Sequence, residues 1–160
     1  MAQSRLGDRL AALPAHSYRL DSGFPRFDDS RPLIDFDGVC VLCKGFARYV
    51  LRHDATGRFR LSAAQSALGQ ALMRHYGIDP DNPETNLLIE QGRAHGKLDA
   101  FVRIMDTLGR MRLARAILKL APGRLADGVY DAIARNRYRL LGRTASCMSP
   151  APEFADRIIT

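Results

Sequence analysis

The sequence predicts a small α/β fold, in which a mixed β-sheet carries helices on both faces and further helices extend its C-terminal side. Short segments of strand type alternate with longer segments of helical period between residues 32 and 108. Two of the strand segments are separated only by a Gln-Gly-Arg turn, which is typical of a hairpin. Two more helical segments then follow, as far as residue 141. Alternating strands and helices form parallel units, and the hairpin adds an antiparallel edge.

The first unit is a strand followed by a helix. Pro32 to Phe36 is a short apolar run that predicts a buried strand. After it, side chains recur at helical spacing and predict a helix that starts near the second cysteine: Leu42, Phe46, Tyr49, Val50 and His53.

The second unit repeats this pattern and leads into the hairpin. Arg58 to Ser62 alternates along the chain and predicts a half-buried strand. The next helix covers Leu68 to Tyr76 and ends at Gly77. A turn rich in Asp and Pro precedes the strand Thr85 to Glu90, and a tight turn connects that strand to a short antiparallel one at residues 94–96.

One more helix, from Leu98 to Leu108, stops at Gly109 and completes the order β-α-β-α-β-β-α. This is the order of a thioredoxin fold. Because the first two strands run parallel through a helical crossover, helices cover both faces of the small mixed sheet. Helices at Met111 to Leu120 and Leu125 to Leu141 are predicted to form the C-terminal extension.

We expect a single domain behind an N-terminal arm. A chain of 160 residues, 46% of them hydrophobic, is long enough to bury one proper core. Residues 1–30 contain turn-forming residues and predict an irregular arm with one short helix near Arg5 to Leu13. Residues 31–160 then form the thioredoxin-like domain, including the helices of about residues 111–141 and the tail.

Charge and hydropathy favour neither a nucleic-acid partner nor a membrane partner. The formal net charge is +7, and residues 103–143 hold ten Lys or Arg. These basic residues alternate with apolar ones, which is typical of the solvated side of amphipathic helices. No run approaches the roughly 18 apolar residues of a membrane span, and residues 1–20 contain no signal-peptide core. We therefore expect a cytoplasmic protein, whose thiols are kept reduced.

Two thiols lie three residues apart in Asp-Gly-Val-Cys-Val-Leu-Cys, residues 37–43, where the first strand gives way to the first helix. Unpaired amide groups and the positive end of the helix dipole favour an anion there. The outer thiol, Cys40, is therefore expected to ionise easily and to act as the nucleophile. Cys43, one turn further into the helix, is expected to be less exposed and to resolve the mixed disulfide.

A Cys-x-x-Cys motif also has other uses. Lys44 stands where a haem attachment motif needs a histidine, and no second Cys-x-x-Cys completes a four-cysteine zinc site. Zinc held by Cys40, Cys43, Cys147 and a histidine is one alternative, and two inert buried thiols are another. The preferred interpretation requires neither a metal nor an organic cofactor.

The segment Asp35-Phe36-Asp37-Gly38 permits a different enzyme class. An apolar strand that ends in Asp-x-Asp-Gly is similar to the first motif of the haloacid-dehalogenase phosphatases. In such an enzyme Asp35 would be the nucleophile, Asp37 the acid/base, and Mg²⁺ would neutralise the phosphate. The chain has no acidic pair after a suitable downstream strand, so this similarity ends at the first motif.

Several ordered motifs resemble the DCC family of thiol-disulfide oxidoreductases, which is named for an Asp-Gly-x-Cys-x-x-Cys motif. The resemblance covers Leu33 to about Ile158. It includes Asp37-Gly38 with Cys40 and Cys43, and Cys147 resembles the late cysteine of the family. The other matching segments are Leu61 to Ser66, Gly96 to Ala100, and Tyr130 to Gly142.

The resemblance implies a thioredoxin-like protein with a redox-active cysteine pair. Its partners would be a disulfide-containing protein or a small thiol, with a cellular thiol or reductase to recycle the pair. Thr85 stands where thioredoxins place a cis-proline, which predicts a narrow range of substrates because the usual backbone clamp is altered. The second class of function is a non-enzymatic thioredoxin-like binding module.

Five side chains are candidates for supporting roles. Asp37 is predicted to hold the Cys40 loop or to accept a proton from Cys43, and Asp35 is expected to be semi-buried beneath the thiols. Arg137, like Arg135, is a candidate for stabilising a thiolate. Cys147 can be a third redox partner if the tail folds back on the core, and is otherwise a free structural thiol.

Overall fold

A computed structural model describes residues 2–119, 124–149 and 151–159 of the chain. The helices are α1 (Ala2–Ala12), α2 (Val41–His53), α3 (Ala67–His75), α4 (Lys97–Thr107), α5 (Met111–Lys119) and α6 (Arg124–Leu141). The strands are β1 (Leu33–Phe36), β2 (Arg60–Ala63), β3 (Leu87–Glu90), β4 (Arg93–Gly96) and β5 (Ile158–Ile159). Short 3₁₀ helices cover Ser17–Leu20 and Pro152–Arg157. Leu120, the predicted end of α5, lies outside the described residues.

The five strands form one mixed sheet in the order β4-β3-β1-β2-β5. β1 is central, parallel to β2 with Ile34 opposite Leu61, and antiparallel to β3 with Ile34 opposite Leu88. β3 and β4 form the predicted hairpin. The predicted thioredoxin-like fold is confirmed. β5, which pairs parallel to β2, was not predicted, because a strand of two residues leaves no periodic pattern in the sequence.

The sheet separates two apolar cores, because successive side chains of a strand point to opposite faces. Leu33 of β1 belongs to the first core, together with residues of α1 and α3. Ile34 and Phe36 belong to the second core, together with residues of α2 and α4. The second core also contains Cys40 and Cys43, so the thiols lie on the α2 and α4 side of the sheet.

Close packing of α3 depends on a glycine. A Cβ placed on Gly69 would lie 2.0 Å from the carbonyl oxygen of Ala63 at the end of β2. Only a residue without a side chain permits this approach of helix to strand. Ser66 caps the same helix by accepting a hydrogen bond from the amide of Gly69 at 3.0 Å.

The N-terminal residues pack onto the domain. The short helix expected near Arg5 to Leu13 is observed as α1, and Leu6 and Leu10 are buried in the first core. Tyr18 is also buried there, and its hydroxyl donates to the carboxylate of Asp29 at 2.7 Å. Leu6, Leu10 and Tyr18 therefore make the N-terminal segment part of the core.

The C-terminal residues return across the sheet after α6. Residues 142–149, which we name the strap, cross the loop in front of α2, and Thr144 donates its amide to the carbonyl of Val39 at 2.8 Å. Arg157 is then buried against Asp54, to which it donates a hydrogen bond, before β5 joins the sheet edge. No helix among the described residues combines the length and apolar character needed to cross a membrane.

Candidate active site

The two thiols lie at the N-terminus of α2, as predicted. Cys40 is the N-cap residue of that helix, and its sulfur accepts a hydrogen bond from the amide of Cys43 at 3.3 Å. A sulfur in this position replaces the oxygen that usually caps a helix, and it receives the positive end of the helix dipole. The cap therefore favours a negatively charged sulfur at Cys40.

The pKa values of the two thiols are shifted in opposite directions. Hydrogen bonds from the side chain and amide of Cys43 lower the pKa of Cys40 to about 6, with help from the charge of Arg137 and against burial and the carboxylate of Asp37. The pKa of Cys43 is raised, first by its hydrogen bond to Cys40, then by burial and by the charge of the Cys40 thiolate. These opposite shifts favour a thiolate at Cys40 and a thiol at Cys43.

Exposure of the two thiols is the reverse of what the sequence predicted. Cys40 was expected to be the outer thiol, but it is 0% exposed, whereas Cys43 is 8% exposed. Cys43 lines a cavity of about 220 Å³ whose wall is mostly apolar. The apolar wall includes Leu42, Phe46, Phe101, Ile104, Tyr130 and Ile133. The prediction failed because the strap, which follows the motif by a hundred residues, covers Cys40.

Asp37 holds the loop before α2 together with α6. Its carboxylate accepts hydrogen bonds from Tyr138, from Gln65 at 3.0 Å, from the amide of Val39 at 3.2 Å and from Arg137 at 3.3 Å. Burial opposes ionisation of Asp37, but these donors outweigh it and lower its pKa. A carboxylate with so many donors is a poor proton acceptor, so the geometry favours the loop-holding role.

Two members of this network were missed at the sequence level. Tyr138, which the sequence did not single out, donates to Asp37, and burial with that hydrogen bond raises its pKa to about 12. Gln65 also accepts from the amide of Gly38 at 2.9 Å. Arg137 is buried as a member of the network, whereas the neighbouring Arg135 is exposed. Tyr138 follows directly after Arg137, and Gln65 lies in the family-like segment Leu61 to Ser66; these positions were the available signals in the sequence.

Asp35 is not beneath the thiols, and that expectation is wrong. It alternates with Ile34 and Phe36, which face the thiols, so its side chain points to the opposite face, toward Ser62 of β2. It is 0% exposed, and its carboxylate oxygens have no hydrogen-bond partner among the described residues. Burial raises the pKa of Asp35 well above its usual range.

Replacing Asp35 with asparagine should therefore stabilise the protein at neutral pH and leave thiol chemistry intact. The folded protein binds the Asp35 proton more tightly than the unfolded chain does, because the pKa of Asp35 is raised in the fold. As pH rises above the pKa of the unfolded chain, ionisation of Asp35 therefore lowers the free energy of unfolding. Thermal unfolding across pH should show an advantage of Asp35→Asn that grows from acid to neutral pH. A loss of Cys40 reactivity in this variant would contradict the placement of Asp35 away from the thiols.

Thr85 lines the same cavity as Cys43. Its hydroxyl donates to the carbonyl of Asn86 at 2.7 Å and accepts from the amide of Lys97, the first residue of α4. The Thr85 hydroxyl thus pairs with an amide at the start of α4 and also uses the carbonyl oxygen of Asn86 as an acceptor. This arrangement leaves less of the backbone at residue 86 free to pair with a peptide.

Cys147 lies on the strap, which does fold back on the core. Its thiol is exposed and donates to the side-chain carbonyl of Gln65 at 3.5 Å. Lys44, considered in the sequence only as a departure from haem motifs, is buried and donates to Thr144 of the strap at 2.6 Å. Within the described part of the chain, no three His, Cys, Asp or Glu side chains are grouped as metal ligands.

Comparisons with known proteins identify the family of the chain. The sequence model of the DCC1-like thiol-disulfide oxidoreductases matches residues 34–143. A chloroplastic DCC family protein of Arabidopsis thaliana is 36% identical over 121 residues, which are 75% of this chain and 70% of that protein. Protein YuxK of Bacillus subtilis (strain 168) is 33% identical over 125 residues, which are 78% of this chain and 90% of YuxK. No solved structure gives a significant match. The chain therefore belongs to the DCC1-like thiol-disulfide oxidoreductase family.

Proposed function

We propose that the protein catalyses thiol–disulfide exchange with Cys40 as the nucleophile and Cys43 as the resolving thiol. The observation that carries this proposal is the sulfur of Cys40 at the helix N-cap, where the amide of Cys43 is 3.3 Å away. Its lowered pKa, about 6, makes it a thiolate at neutral pH. A thiolate, and not a thiol, attacks a disulfide.

The reaction has two exchange steps. The Cys40 thiolate attacks one sulfur of a substrate disulfide, forms a mixed disulfide and releases the other substrate sulfur as a thiolate. Cys43 then loses its proton to solvent and attacks the sulfur of Cys40, which releases the second substrate sulfur as a thiolate and leaves a Cys40–Cys43 disulfide. A cellular thiol or reductase supplies the two electrons that return the pair to its reduced form.

The order of the two steps follows from the coupling of the thiols. A negative Cys40 is itself the first cause of the raised Cys43 pKa, through its hydrogen bond and its charge. Once Cys40 is in a mixed disulfide it has no charge, so both causes are removed and Cys43 ionises more easily. The resolving thiol is thereby activated by the first step, without a separate general base.

The rate of Cys40 alkylation should rise with pH around a midpoint of about 6 and be level above it, because the thiolate is the reacting species. Iodoacetamide labelling of the reduced protein at several pH values, read by site-resolved peptide mass analysis, measures this midpoint. The unfolded protein is the control and should titrate near the ordinary cysteine value of about 8.5. A folded-state midpoint equal to the unfolded one would remove the nucleophile assignment.

Substrates and location complete the proposal. The family supports a thiol or disulfide substrate, and we propose a disulfide-containing protein or a small thiol that approaches the cavity beside Cys43. A cytoplasmic location, where thiols are kept reduced, fits a reductive cycle. The Arabidopsis relative is described as chloroplastic, which is a statement about that protein.

The two other classes of function make different demands on the same residues. A phosphatase needs Asp35 within reach of a phosphate, but Asp35 is fully buried on the far face of the sheet. A pure binding module would use the apolar cavity and would have no need of a lowered pKa at Cys40. Binding that survives loss of both cysteines would identify the binding module.

A further inference from the structure

The backbone of the strap runs along the loop that carries Cys40. Cys40 and Arg143 form an isolated antiparallel bridge, and the amide of Val41 donates to the carbonyl of Gly142 at 3.4 Å. Further along, the amide of Met148 donates to the carbonyl of Gly38 at 3.0 Å. The side chain of Met148 is buried in the same core as Cys40. The thiolate therefore lies beneath the strap, which agrees with its exposure of 0%.

The absence of a side chain at Gly38 allows the strap to lie against the loop before α2. A Cβ at residue 38 would lie 2.4 Å from the sulfur of Cys147, a distance that real side chains do not adopt. The same Cβ would be 2.9 Å from the side-chain carbonyl of Gln65, which holds both Gly38 and Cys147. The glycine of the Asp-Gly-x-Cys motif thus leaves room for the strap to contact the loop.

Lys44 is the principal polar contact between α2 and the strap. Its ammonium group donates to the hydroxyl of Thr144 at 2.6 Å and to the carbonyl of Ser146 at 3.3 Å. The hydroxyl of Thr144 lies 3.2 Å from the carbonyl of Val39 and 2.8 Å from that of Ser146. The Lys44 side chain is buried, so these charge-assisted hydrogen bonds are shielded from water.

The strap has few buried residues, but the segments on either side of it are each held by a buried ion pair. Among its residues only Met148 is buried, and the others are half-buried or exposed. On one side, Arg137 of α6 is paired with Asp37, and on the other, Arg157 is paired with Asp54. A segment with few buried groups between two fixed ends can open locally without unfolding the domain.

We propose that the strap is a cover that must lift before Cys40 can reach a disulfide, and that Lys44 is the positioning residue that keeps it closed. This inference rests on the proposed function, because it assumes that Cys40 is the attacking thiol. The cavity at Cys43 gives a substrate a place beside the pair, and opening of the strap then exposes the nucleophile. The strap therefore protects the thiolate from unrelated oxidants and alkylating agents.

Alkylation of Cys40 in Lys44→Met tests the proposal. Reduced proteins are labelled with iodoacetamide at a pH well above the Cys40 pKa, and all carry Cys147→Ser so that the exposed thiol does not react. Lys44→Met should raise the Cys40 rate by about tenfold or more, the effect of removing a charge-assisted hydrogen bond from the closed state. The matched control is Arg48→Met, an exposed position one turn along the same helix, which should not change the rate.

Thr144→Val provides a second route to the same contact. It should also speed labelling of Cys40, and the Lys44→Met/Thr144→Val double variant should be no faster than the faster single variant, because both remove one shared interaction. Loss of the Lys44 cation without opening of the strap would disfavour a thiolate and slow the reaction. Equal Cys40 rates in Lys44→Met and Arg48→Met would overturn the proposal.

Amide hydrogen exchange separates local opening from unfolding. In Lys44→Met the amides of Thr144 and Met148 should exchange faster, whereas those of β1 should be unchanged. Equal acceleration in β1 would mean general destabilisation and would also defeat the proposal. Trapping of a mixed disulfide in Cys43→Ser tests the chemistry separately: without trapping, the proposed function fails, while faster labelling of Lys44→Met still shows that the strap covers Cys40.

Discussion

Cys40→Ser should lower the rate of disulfide reduction by about a thousandfold or more, because it removes the only proposed attacking sulfur. Cys43→Ser should stop turnover at a different point, since the first attack is retained and the resolving attack is lost. The Cys43→Ser protein is therefore expected to accumulate a mixed disulfide with a small disulfide such as oxidised glutathione. Intact-protein mass measured with and without a reductant shows the adduct, and its peptide map should place it on Cys40.

Cys147→Ser is the matched control for those two variants. Cys147 is the exposed thiol, and the proposed steps do not use it, so this change should leave turnover near that of the unmodified protein. Equal trapping by Cys40→Ser and Cys43→Ser would contradict an ordered two-cysteine mechanism. Loss of turnover in Cys147→Ser alone would instead assign a role to the strap thiol.

Of the substitutions named here, Arg157→Met should cause the largest loss in the free energy of unfolding, about 3–5 kcal/mol. It leaves the buried carboxylate of Asp54 without its ionic partner. Both side chains are less than 10% exposed, at 8% and 4%. The guanidinium group also donates to the carbonyl of Phe59 at 3.1 Å, so the substitution removes hydrogen bonds as well as charge. Urea unfolding followed by circular dichroism measures the change in the free energy of unfolding.

Arg103→Met is the corresponding control on the surface. Arg103 pairs with Asp99 at 3.0 Å, but the two side chains are 45% and 57% exposed. An exposed pair of this kind contributes less than about 1 kcal/mol, so this variant should unfold close to the unmodified protein. Similar losses for Arg157→Met and Arg103→Met would show that the buried pair does not anchor the C-terminal residues.

The order of helices and strands was predictable because each element carries its own local pattern. Strand segments such as Leu33 to Phe36 and Leu87 to Glu90 are short and apolar, and the helices between them show helical spacing. The same reasoning gave the Cys-x-x-Cys at a helix N-terminus. In contrast, β5 could not be predicted, because its pairing with β2 joins residues about a hundred positions apart and depends on the completed fold.

The details of the site depended on contacts that no local pattern records. The helix terminus predicted easy ionisation of Cys40, but the carboxylate of Asp37, three residues away, opposes a thiolate there. In the fold, Arg137 and the hydrogen bonds of Cys43 act on Cys40 as well, and the pKa is lowered. The position of Asp35, by comparison, was available from alternation with Ile34 and Phe36, because a neighbour on a strand faces the other way.

The division of the molecule by its sheet has a consequence for how the sequence can vary. Leu72 and Met73 belong to the core of the first face, and the thiols belong to the core of the second. Substitutions that alter packing around Leu72 therefore change melting temperature with little effect on the reduction potential of the pair, which is set by groups on the other side. The core of the first face can therefore accept substitutions, or be engineered for stability, independently of the thiols. The core of the second face is constrained by the chemistry of the cysteine pair.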